Sequence, residues 1–245
     1  MKKIHRYTLV ELLVVVAIAA VILGIATPAF TAMMKGGAMT STTRELAAKI
    51  KAARSYAVTN NCYVALVFPT GTSLEDTGKT DFYFRCYRPC IVYKNEEDKW
   101  VFDSWIDGEN WKLMNKGIVI NKENKDFCFI TLASGSESEE DLPTEYVVKD
   151  VPLGKIKSIS TSTTDESIKD DIARAIIFKP NGQLAGIELS KSLRFRLMEG
   201  VPVSKDNIQA TNVFTEGSDR YTMVKTFIIN PLTCKIEFRD DSLKL

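Results

Sequence analysis

Histidine is nearly missing from this chain: of 245 residues only His5 is one, and it stands at the extreme N-terminus. A Ser-His-Asp or Cys-His arrangement therefore cannot be assembled in the body of the protein from its own residues. Cys86 and Cys90 have no second CxxC-like pair to complete a four-ligand zinc set. A surplus of either charge is missing too, since 32 basic residues face 31 acidic ones for a net charge of +1. That balance lacks the electrostatic footprint of a nucleic-acid binder. The end of the chain, Phe238-Arg239-Asp240-Asp241-Ser242-Leu243-Lys244-Leu245, carries no basic tail either. These absences lead to the expectation of a protein that is no enzyme, with no cofactor and no metal, and with nucleic acid an unlikely partner.

What the chain does have is an apolar, uncharged run over residues 12–34, with the carboxylate of Glu11 at its mouth. As a helix such a run is roughly 34 Å long, enough to cross a hydrocarbon core of about 30 Å. Lys2, Lys3 and Arg6 precede it and Lys35 follows. This asymmetry predicts a single-pass membrane protein, its N-terminus cytoplasmic and its C-terminal domain external; the resemblance given below implies that the membrane is the bacterial inner membrane and the outer side periplasmic or extracellular. A cleaved secretory signal fits less well, because its apolar core is usually about 7–15 residues and the Ala17-Ile18-Ala19 match falls inside the run. Glu11 admits two readings. At an interface it stays hydrated beside Lys3 or Arg6 and only marks the edge of an anchor; inside a membrane it requires a cationic partner.

Leu46, Ile50, Ala53 and Ala57 recur at the spacing of one helical face, with Lys49, Lys51 and Arg54 opposite. Asn60-Asn61 is a helix stop, since Asn tolerates the left-handed conformation of a C-terminal cap. Residues 8–59 thus read as one long helix, with a membrane half and an amphipathic half. Pro28 is expected to kink or loosen it near Gly24, and Gly36-Gly37 to weaken it again; these residues serve either as punctuation or as a hinge. Beyond Asn61 come strand-like segments at 62–68, 82–93, 100–106, 127–132, 175–179, 184–189, 224–229 and 235–238. Turn chemistry such as Asp107-Gly108 and Pro180-Asn181-Gly182 separates them. Residues 134–145 and 158–171, rich in Ser, Thr, Glu and Asp, read as exposed loops or disordered inserts.

Tyr7-Thr8-Leu9-Val10-Glu11, after a short basic leader and before the apolar run, resembles the start of the type IV prepilin class. The resemblance implies that prepilin peptidase cuts between Arg6 and Tyr7, although Arg6 stands where that class has Gly, and that Tyr7 becomes the N-methylated first residue. It further implies that Glu11 pairs with the N-terminal amine of a neighbouring subunit. Three later segments are similar to the GspH/FimT group of minor pseudopilins: residues 46–58 running into Tyr63-Val64-Ala65-Leu66-Val67, then Ile177-Phe178-Lys179-Pro180-Asn181-Gly182-Gln183, and the closing 228–236 with Cys234 where Gly is usual. The implied fold is α+β and pilin-like: a long N-terminal helix, its membrane half followed by an amphipathic half, packed on a mainly antiparallel β globular domain. The divisions are a basic leader at 1–6, a transmembrane and assembly helix at 7–34, the amphipathic half at 35–61 and a β-rich GspH-like domain at 62–245.

The expected function is that of a minor pseudopilin, a structural subunit of a type II secretion-like pseudopilus. Its expected partners are other pseudopilins or pilins through the N-terminal helix, prepilin peptidase, the inner membrane and secreted cargo. The alternatives are a FimT-like minor pilin in DNA uptake or pilus assembly, and a membrane-tethered β domain that never assembles. Among five cysteines, an odd number, at least one is unpaired in a monomer. Cys86 and Cys90 either close a small loop as a disulfide or lie buried on one face of a strand. The acidic cluster Glu137, Glu139, Glu140 and Asp141 reads as a solvated loop. Trp100, Trp105 and Trp111, with Phe102 between, either display an aromatic face or fill the β core.

Overall fold

The computed structural model describes residues 9–69, 84–121, 130–133, 139–141, 147–152, 173–187, 191–204, 207–211, 213–216 and 219–244. Arg6, Tyr7, Cys128, Glu137 and the insert at 158–171 lie outside these residues, as does the side chain of Pro28. Among the described residues the one helix, α1, runs from Leu9 to Asn60 and is 52 residues long, continuous through Gly24 and Gly36-Gly37. It stops where Asn61 turns left-handed, at φ 50°. The Cys62 amide then reaches back to the Ala57 carbonyl at 3.2 Å, the wrap that satisfies a carbonyl left over at a helix end.

Fourteen strands follow: β1 (Tyr63–Pro69), β2 (Cys86–Lys94), β3 (Trp100–Trp105), β4 (Lys112–Leu113), β5 (Ile118–Ile120), β6 (Ile130–Ala133), β7 (Glu139–Asp141), β8 (Val147–Lys149), β9 (Ala173–Phe178), β10 (Lys191–Ser204), β11 (Asn207–Ala210), β12 (Val213–Glu216), β13 (Asp219–Ile229) and β14 (Ile236–Lys244). Five of them close a ring in which β1 pairs with β2, β2 with β3, β3 with β8, β8 with β9, and β9 with β1. Neighbours in an antiparallel ring must alternate in direction, so an odd ring needs a parallel pair. Here that pair is β3–β8, with Trp100 opposite Val148. β4 extends the ring at the end of β2. The remaining strands form a second, eight-stranded sheet along the path β12-β13-β10-β6-β7, with β5 and β11 on β10 and β14 on β13.

This architecture corrects the expected pilin-like α+β class. The β structure is not one mainly antiparallel sheet for a long helix to lie on, but a closed five-stranded barrel joined to a second sheet. Local periodicity marks strands, whereas closure depends on pairings far apart in sequence, and here it rests on two short contacts made by β8. The expected transmembrane half is corrected as well. Among the described residues no helix is long and apolar enough to cross a membrane. The single-pass inner-membrane placement, with its cytoplasmic N-terminus and external domain, loses its structural basis with that span.

The C-terminal part of α1 is fixed to the β structure. Leu46, Ile50, Ala53 and Ala57 are buried in the main core, with Thr42 and Thr43 beside them, and α1 packs against β1, β9, β5 and β10. Successive strand residues point to opposite faces. Val64 through Phe68 are all buried, so β1 is covered on both sides. In the second sheet Leu193, Phe195 and Leu197 of β10 and Phe227 and Ile229 of β13 join the same core, with the Phe195 and Phe227 rings stacked at 4.5 Å.

Candidate functional site

The feature that demands a partner is the N-terminal part of α1. Every position from 9 to 24 is exposed, including Leu9, Val10, Leu12, Leu13, Val15, Ile18, Val21, Ile22 and Leu23, most of them above half. An apolar surface of this extent on a folded protein marks a place where something else is meant to sit. Glu11 is the one charged residue within it and lies in the first turn of the helix. Gly24 projects into open space with no atom near where a Cβ would be.

The helix changes character at Ala38. Asn115 fastens that point, its Nδ2 donating to the Ala38 carbonyl at 3.2 Å and its backbone amide facing Thr42 Oγ1 at 3.4 Å. Lys49 lies between both Glu109 oxygens at 2.7 and 2.8 Å, and Lys112 pairs with Glu45. Lys49 had been expected on the outward face; its long stem instead follows the surface inward to the turn after β3. Between these pairs the Tyr87 hydroxyl is pushed well above the ordinary phenol range, by burial first and then by the charges of Glu45 and Glu109.

The three segments similar to the pseudopilin group meet at Gly182. Its carbonyl accepts from Arg54 Nε at 2.9 Å and from Cys234 Sγ at 3.1 Å, while the Leu184 amide donates to the Pro231 carbonyl at 2.8 Å. Gly182 has φ 78°, and a Cβ there would lie 3.0 Å from Val58 Cγ2 and 3.1 Å from Arg54 Nε. Left-handed backbone and close approach both call for glycine. The place is a structural junction between the end of α1 and two turns.

Cys86 and Cys90 do not form a disulfide; both are buried as thiols, as is Cys234, while the Cys62 thiol is half-buried. Residues four apart on one strand are about 13 Å apart, too far to bridge. Burial pushes the Cys86 thiol up to about 12, against a smaller opposing pull from Arg85, and raises Cys90 further. Both are thereby kept as unreactive thiols. Trp100 and Trp111 are buried, and Phe102 and Trp105 pack against the core. The Arg88 guanidinium lies 4.0 Å over Trp105, so the aromatic residues fill space and do not form an open face. Glu139, Glu140 and Asp141 were expected in a solvated loop; their backbone instead forms β7 against β6. Among the described residues no group of three or more His, Cys, Asp or Glu is placed to hold a metal ion.

No family model matches the chain, and no curated protein or solved structure is similar to it. The likeness to prepilins and to the GspH/FimT group therefore rests on the quoted residues alone.

Proposed function

We propose that this protein is a minor pseudopilin, a structural and non-enzymatic subunit of a type II secretion-like pseudopilus that joins its neighbours through the N-terminal part of α1. The observation that carries the reading is the run of exposed helical positions 9–24, apolar except for Glu11. Such a surface is stable in an assembly, where like helices cover one another, and the charge inside it sets which arrangement is favoured, because a carboxylate enclosed among packed apolar side chains has to be met by a cationic or hydrogen-bonding group there. The motif Tyr7-Thr8-Leu9-Val10-Glu11 supports the same reading and adds prepilin peptidase as a processing partner.

The test is Glu11→Ala in the full chain, followed by crosslinking to the other filament subunits. The barrel and second sheet should keep their stability while incorporation falls several-fold. Incorporation at the unaltered level would overturn the reading.

A further inference from the structure

β14 is an edge. It pairs along its whole length with β13, from Ile229 opposite Ile236 to Tyr221 opposite Lys244, and among the described residues no strand lies on its other side. A row of unpaired amides and carbonyls beside regular strand backbone is a template for another strand. Near the start of this edge, two residues in, stands Phe238, 47% exposed, held edge-on against Phe227 at 5.0 Å. Its orientation is fixed from behind while its outer side has no cover.

The charges on either side of Phe238 are arranged as their own complement. Reading outward, Glu237 answers Arg239, and Lys235 answers Asp241. Within the chain these are already paired lengthwise, Lys235, just before the strand, with Glu237 at 2.9 Å and Arg239 with Asp241 at 2.6 Å. Asp241 is further fixed by the Thr226 hydroxyl at 2.6 Å, and Asp240 on the Phe238 face is paired with Lys225.

We infer that β14 is a self-association edge, on which a second copy of this chain pairs its own β14 antiparallel about a two-fold axis through Phe238. At that register Phe238 faces its symmetry mate, Glu237 faces Arg239 of the second copy and Lys235 faces Asp241. Each lengthwise ion pair then lies beside an oppositely ordered one, and the four charges alternate in sign around a square. A perpendicular two-fold requires a residue to face itself. Centring it on Glu237, Arg239, Asp240 or Asp241 would oppose like charges, which is destabilising. Centring it on Ile236 would also set Lys235 against Glu237, but β14 begins at that residue and almost none of the strand would then pair; Phe238 puts an apolar pair at the centre with complementary charges on both sides and strand backbone to either side of it. Charged residues on an edge strand also guard against unwanted pairing, but guarding does not require the pattern to complement itself about one residue. This contact is independent of the N-terminal helix.

The register can be tested by crosslinking in the full chain. Directly opposed residues have Cβ atoms about 4.5–5.5 Å apart, and a modest closure of that gap permits a disulfide. Under mild oxidation Phe238→Cys should form a covalent dimer in several-fold greater yield than Asp240→Cys, which faces Ile236 of the second copy, or than the unaltered chain. Adding Arg239→Glu to Phe238→Cys should reduce the yield several-fold by opposing two acids, and adding Glu237→Arg as well should restore it. Circular dichroism of each variant confirms that the sheet is retained. Dimer from Phe238→Cys no greater than from the unaltered chain, equal dimer from Asp240→Cys, or indifference to Arg239→Glu would each overturn the inference.

Discussion

One helix, α1, behaves as two objects. From Ala38 onward it has a buried stripe and four polar fastenings, at Asn115, Glu109, Lys112 and Gly182. Over residues 9–24 it has apolar side chains on all sides and is exposed throughout. The difference lies in pattern more than in hydrophobicity. Leu46, Ile50, Ala53 and Ala57 share one face with polar residues around the rest, so the helix has a single way to lie on β1. The N-terminal stretch has no preferred face, and it suits a surrounding of several partners better than a single surface.

Substitutions on the two sides should therefore differ sharply. The largest effect is expected from Ile50→Ala, which removes a fully buried side chain and should cost about 2–5 kcal/mol in denaturant unfolding, while Leu13→Ala at the exposed end should leave the unfolding midpoint unmoved. Gly182→Ala should come next, at about 1–3 kcal/mol, because it places a Cβ in a left-handed turn and against Arg54 and Val58. A smaller loss, about 1 kcal/mol, is expected for Glu109→Gln, since the Lys49–Glu109 pair is part-buried but remains reached by water. Equal losses at Ile50 and Leu13 would remove the distinction between the two ends.

The smallest effect concerns pH and the far sheet. Burial acts to raise the Asp241 carboxyl, but the Thr226 hydroxyl and the Arg239 and Arg194 guanidinium groups outweigh it and hold the group below its ordinary value. A lowered folded pKa contributes stability that is present above the unfolded value near 4 and is lost as pH falls through the folded one. Asp241→Asn should thus lower stability at pH 7, where the contribution of the carboxylate is fully present, change it little at acid pH where that contribution is already lost, and so flatten the acid limb below about pH 4. A profile that stays as steep as that of the unaltered chain would show that other carboxylates set the limb.

Which parts of the fold could be read from the sequence follows from how local their causes are. The stop at Asn60-Asn61 and the burial of Leu46, Ile50, Ala53 and Ala57 depend on neighbours within a turn or two, and the structure agrees with them. β1 and β3 lie within a residue of the segments expected for them, for the same reason. β10 was passed over although it is the spine of the second sheet. Its Leu193, Phe195 and Leu197 alternate with Arg194 and Arg196, an in-out pattern partly disguised by the buried Arg194 and ended by Gly200 and Pro202. The segment at 184–189 shows the reverse. Leu184, Ala185 and Ile187 are buried, yet among its described residues, 184–187, the backbone makes a single bridge, Phe178 to Leu184, and Gly186 turns left-handed at φ 74°. Apolar content there reports burial without a ladder. Barrel closure, and the meeting of Arg54, Gly182 and Cys234, join residues far apart in the chain, and no local pattern specifies such pairings.

The central claim, that α1 is a fixed stem at one end and an assembly surface at the other, is tested most directly by amide hydrogen exchange along the helix in the full chain, before and after it is mixed with its filament partners. The account predicts that peptides covering residues 9–24 gain protection on assembly, while those covering 42–57 are protected already and do not change. Unchanged exchange at 9–24 in a demonstrably assembled sample, or a gain confined to 42–57, would contradict it.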